Sequence, residues 1–178
     1  SHAIFCIWLA WAVLLTKTPR FIQGMMALFI LASASMGIYQ HVTYKGFPYV
    51  PNRELSASIQ SGLQPGDVVI HSTKLSYLPM LYFAPSLPQG FIIDQPGSSV
   101  DTLAPATREV LNVREFEDIE EASAAAPRLW FIIYQDSIEE YTAQGYETHP
   151  HLEYLNENFI LRESHPWDDA ILYLYVRP

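Results

Sequence analysis

The sequence predicts an α/β fold: a mainly parallel sheet of five or six strands with helices on both faces, preceded by one or two transmembrane helices. Three observations predict it. Residues 3–15 and 21–42 contain no charged side chain. Beyond residue 45, short continuous apolar runs recur, such as VVI at 68–70 and LWFIIY at 129–134. Runs of that length fit strands covered on both faces, and stretches of helical composition separate them. From residue 45 onward lie all nineteen acidic residues and eight basic ones, so that part carries a net charge of −11.

The 22 uncharged residues 21–42 would rise about 33 Å as a helix, enough to cross a hydrocarbon core of about 30 Å. Gln23, Gln40 and His41 are the strongly polar exceptions, and Gly24 to Ile38 are apolar or small all round, unlike an amphipathic surface helix. The stretch 3–15 is too short to span and reads as the remaining part of a longer membrane helix. Lys17 and Arg20 stand between the two stretches. The excess of Lys and Arg in cytoplasmic loops puts that loop inside. The expected organisation is membrane helices over 1–44 and an extracytoplasmic α/β domain over 45–178, at the cell membrane. Tyr39, Tyr44, Phe47 and Tyr49 cluster at the exit, where an aromatic belt belongs. Cys6 is the one cysteine, so no intrachain disulfide forms.

Within the outer part, Asn52 is expected to cap a helix that stops at Gly62, and Pro65-Gly66 turns the chain into a strand at 68–70. Ser72 or Ser76 would cap a helix reaching Phe83, with Pro79 preferring an early position in it. A strand at 90–94 and a loop at 95–106 follow. A third strand is expected at 109–113, a helix at 117–126 and the strongest strand at 129–134. Pro150 opens a helix to Asn158. Strands at 159–162 and 170–176 close the domain, with the turn PWDD at 166–169 before the last, which should run antiparallel to its neighbour. Strands alternating with helices argue for the layered, mainly parallel sheet.

Little in this chain carries chemistry. No glycine follows the first strand, where HSTKLS stands, so a dinucleotide fingerprint is missing. The net charge of −11 excludes nucleic acid as a partner. His149-Pro-His151, between Glu147 and Glu153, is the best metal candidate, but the spacing is poor for zinc, and a solvated loop and helix start is the simpler reading. No metal site, no catalytic residue and no cofactor is expected in this chain. In open α/β sheets, ligands lie beyond the carboxyl ends of the strands. Those ends carry His71, Ser72 and Thr73, then Asp94, then Gln135 and Asp136, which together would offer a shallow polar surface to a glycan or peptide acceptor. Polarity also returns at strand ends for purely structural reasons.

The succession of apolar helix, Tyr-rich linker, "LQPGDVVI", "YLPMLYF", "RLWFIIY" and "AILYLYV" resembles the C-terminal part of integral-membrane glycosyltransferases of the GT-C superfamily, protein-mannosyltransferase-like branch. The resemblance covers nearly the whole chain through loose motifs. It implies a parent enzyme that moves a sugar from a polyisoprenyl-phosphate carrier, with its catalytic acids in a first outer loop that this sequence lacks. This chain would then be a non-catalytic domain that recognises the acceptor or covers the active site. Its partners would be membrane lipid and the remaining membrane helices. A membrane-anchored binding module of a non-enzyme, or a soluble protein with a core helical hairpin, are the rival readings.

Overall fold

The computed structural model describes residues 11, 19–43, 49–93 and 103–178. The chain divides into two units between Phe47 and Pro48. In the first, one helix is described, α1 (Arg20–Thr43). It has 24 residues and none of them is buried. Of the expected helix at 3–15 only Trp11 is among the described residues, and the rest lies outside them.

The second unit runs α2 (Asn52–Gly62), β1 (Val68–His71), α3 (Lys74–Phe83), β2 (Gln89–Ile92), α4 (Pro105–Leu111), β3 (Glu115–Phe116), α5 (Ile119–Ser123), β4 (Arg128–Tyr134), α6 (Gln135–Ala143), α7 (Pro150–Asn158), β5 (Ile160–Trp167) and β6 (Ala170–Val176). The strands form one sheet in the order β3-β2-β1-β4-β6-β5. The pairings among β3, β2, β1 and β4 are parallel, while β4–β6 and β5–β6 are antiparallel. The sheet is therefore mixed, which corrects the expectation of a mainly parallel one. The cause lies in the connections. A parallel neighbour needs a crossover of a dozen residues or more, and β5 reaches β6 through Asp168-Asp169 alone. Asp168 takes the left-handed φ of 51° there, which a short polar side chain tolerates.

β4 explains why its run is apolar throughout. Leu129, Phe131 and Ile133 face a core shared with Ile119 and Ala122 of α5 and Leu152 and Leu155 of α7. Trp130, Ile132 and Tyr134 face the opposite core with Leu55 and Ile59 of α2 and Met80 of α3. The sheet is thus covered on both sides. The outer strand β5 is exposed over almost its whole length. Its free edge carries a register shift between Leu161 and Glu163, together with His165 and Pro166. Bulges, charges and proline discourage another strand from pairing there.

Local differences from expectation have plain causes. Pro51, not Asn52, is the N-cap of α2, and the Asn52 amide donates to Val50 O instead. Gly62 is needed because the Trp130 ring would lie 3.0 Å from an added Cβ. Pro79 sits inside α3 rather than in its first turn. It has no N–H for the carbonyl of Leu75, four residues back, and the Tyr134 hydroxyl donates to that carbonyl at 3.3 Å. The strand expected at 109–113 is mostly helix. Proline at its first turn opens α4, and Asn112 ends it at a left-handed φ of 47°.

Gly90 is the tightest point of the sheet. An added Cβ would lie 2.6 Å from the Phe116 ring and 2.8 Å from Arg114 O. That carbonyl accepts from Phe91 N and cannot move without losing the bond joining β2 to the β3 segment. Gly90→Ala is therefore expected to destabilise the domain by about 1–3 kcal/mol, read as a lower urea midpoint with unchanged slope.

Candidate functional site at the switch point of the sheet

β1 is followed by α3 on one face and leads to β2. The chain enters β4, on the other side of β1, from α5 on the opposite face. The carboxyl ends of β1 and β4 therefore flank the topological switch point, where α/β sheets place ligands. His71, Ser72, Thr73, Gln135 and Asp136, singled out in the sequence, lie at these two ends, at very different depths.

His71, the last residue of β1, is wholly buried. Its Nε2 meets Gln89 Oε1 at 3.2 Å, and its Nδ1 meets Ser76 Oγ at 3.2 Å. The Gln89 amide nitrogen donates to Ala84 O, which leaves Oε1 as the acceptor and assigns the His71 proton to Nε2. The ring stands edge-on to Tyr77. Burial lowers its pKa to about 3, against a smaller upward pull from the bond to Gln89. His71 is thus a neutral brace between β1, α3 and β2. Ser72 is buried too, and its N–H donates to Ile132 O. The hydroxyls of Ser72 and Thr73 are both buried without a protein partner.

Gln135 and Asp136 open α6 and are exposed. The Gln135 amide reaches Glu139 at 2.9 Å and its N–H donates to Asp169 O. Asp94 lies outside the described residues. The structure therefore brings the ends of β1 and β4 side by side, with one group of side chains inside the protein and the other on its surface.

A second cluster forms around His149 and His151, whose burial the sequence reading does not anticipate. His149 is buried, not solvated. It caps α7 by accepting from His151 N at Nδ1. Its ring lies 4.3 Å from that of Tyr141 and 4.7 Å from that of His151. Tyr141 also braces Tyr146. Burial, and then the neighbouring His151, lowers the His149 pKa to about 4. Burial lowers that of His151 to about 4 as well, against an opposite pull from Asp118. Among the described residues no group of His, Cys, Asp or Glu is placed to hold a metal. The signal for burial is the aromatic pair Tyr141 and Tyr146 just before His149.

Beside this cluster lies a cleft of about 400 Å³ lined by Tyr146, Glu147, Thr148, Glu153, Asn156 and Glu157. The buried Tyr175 donates to Asn156 Oδ1 at 2.9 Å, which orients the amide. Three carboxylates without a cation in the lining disfavour any anionic ligand.

No family model matches the chain, and no curated protein matches it. Among solved structures, the 16S rRNA methylase RmtB aligns over 82% of each chain at 11% identity, with a TM-score of 0.25.

Proposed function

We propose that the chain is a membrane-tethered extracytoplasmic domain of a lipid-linked-sugar-dependent glycosyltransferase, non-catalytic itself, that recognises the acceptor or covers the active site. The observation that carries this reading is α1. It has 24 residues, no charge after Arg20 and no buried residue, and a helix of that length rises about 36 Å. A core helix of a water-soluble protein would bury one face. The sequence motifs quoted above supply the glycosyltransferase part of the reading. The acidic cleft and the net charge of −11 favour a role on the acceptor side, since a polyprenyl-phosphate donor is anionic. The neutral, enclosed His71 supports a role without acid–base chemistry at the switch point.

The test is sugar transfer in membranes containing the full-length protein, with or without residues 49–178. Loss of transfer to acceptor on deletion, together with no turnover of a polyprenyl-linked sugar by residues 1–178 alone, is the expected result. Turnover by this chain alone, or transfer unaffected by the deletion, would overturn the proposal.

A further inference from the structure

The helix α3 is apolar on both sides. Tyr77 and Met80 face the core, as does Ser76 with its hydroxyl on His71. On the other side Leu75 is 54% exposed, Tyr82 81% and Phe83 42%, at positions i, i+7 and i+8 of one helical stripe. Tyr82 and Phe83 form an edge-to-face pair with centroids 5.1 Å apart, and Arg53 of α2 stands 5.8 Å over the Phe83 ring. After Lys74 the helix holds no charged residue.

The same surface is tied to the point where the chain enters the domain. Tyr49, also exposed, exchanges two hydrogen bonds with Asp169: its N–H donates to the carboxylate at 2.6 Å, and its carbonyl accepts from Asp169 N at 3.1 Å. Asp169 O accepts from Gln135 N, next to Tyr134, whose hydroxyl reaches Leu75 O. Five residues, 44–48, stand between the end of α1 and Tyr49. Such a tether can extend no further than about 20 Å, so a spanning α1 keeps Tyr49 within reach of the headgroup layer.

We infer that the outer face of α3, with Leu75, Tyr82 and Phe83, is a docking surface for the bilayer interface. The inference rests on the membrane reading of α1. Tyr beside Phe and Leu, rimmed by Arg, matches the chemistry of the headgroup boundary, where amphipathic rings and basic side chains are enriched. A second copy fits worse, because two domains of charge −11 repel one another.

The experiment uses the full chain with Cys6→Ser, reconstituted in phosphatidylcholine vesicles. Nitroxide labels are placed singly through Leu75→Cys, Tyr82→Cys, Glu139→Cys on the exposed face of α6, and Phe29→Cys in α1. Accessibility to oxygen and to a water-soluble nickel chelate is read at each. The expected result is several-fold lower nickel access and higher oxygen access at 75 and 82 than at 139. Equal nickel access at 82 and 139, with a lipid-buried label at 29, would overturn the docking surface and leave the membrane helix standing. A water-exposed label at 29 would instead overturn the membrane reading and the docking with it. Shielding of 82 from both reagents would show a protein covering the face and overturn lipid as its occupant.

Discussion

Asp67→Ala is expected to destabilise the α/β domain by about 3–5 kcal/mol, a large part of the 5–15 kcal/mol typical of a single domain. The Asp67 side chain is almost wholly buried just before β1. Its Oδ2 accepts from Arg128 at 2.9 Å, from Trp130 Nε1 at 3.0 Å and from Gln64 N at 2.9 Å. The same Arg128 nitrogen donates to Gly62 O at 2.8 Å, so the carboxylate joins the end of α2, the turn before β1 and the start of β4. Removing it leaves a largely buried guanidinium and an indole N–H without their acceptor. The cost comes from those abandoned groups rather than from the ion pair itself, whose net worth against an apolar replacement is small. Asp67→Asn keeps an acceptor oxygen and should cost less. Urea unfolding of the three proteins measures the order. Equal midpoints for wild type and Asp67→Ala would show that the cluster contributes nothing.

The second large effect is loss of stability in mild acid. His71, His149 and His151 all bind a proton more weakly folded than unfolded. As pH falls below about 6.5, the unfolded chain takes up these protons first, so stability is full above that value and falls below it. The decline continues to about 4 for His149 and His151 and to about 3 for His71. At pH about 4.5, His71 alone removes about 3 kcal/mol, since each pH step of one below 6.5 costs about 1.4 kcal/mol. Protonation of the many carboxylates relieves repulsion over the lower part of this range and partly masks the decline, so a variant isolates the histidine contribution. His149→Asn keeps a side-chain acceptor at the N-cap of α7 while removing the titration. Its stability should fall less steeply between pH 6.5 and about 4.5 than that of the wild type. Parallel profiles would contradict the assignment.

Much of the fold is legible because burial leaves a period in the sequence. The run of β4, the proline-opened α7 and the run of β6 are expected within a residue of their observed bounds. The elements that escape are those that bury little. α6 follows β4 with no turn residue between them and buries no side chain, so neither a cap nor an apolar stripe announces it. α4 is two turns long, and Val110 favours a strand reading although it is 82% exposed. The candidate site is legible in position and not in depth. The end of β1 is polar, but Gln89, eighteen residues on, encloses His71, and no local pattern connects the two. The two-residue turn at Asp168-Asp169 makes β5 and β6 antiparallel, but nothing in it specifies how β6 pairs with β4 on its other side.

On the proposed reading, α1 crosses a bilayer and leaves the acidic domain outside. Two single-cysteine forms in a Cys6→Ser background, Lys17→Cys and Glu157→Cys, test this in intact cells with a membrane-impermeant maleimide. The account predicts that Glu157→Cys is labelled at once and Lys17→Cys only after permeabilisation. Labelling of both only after lysis, with the protein recovered in the soluble fraction, would contradict it.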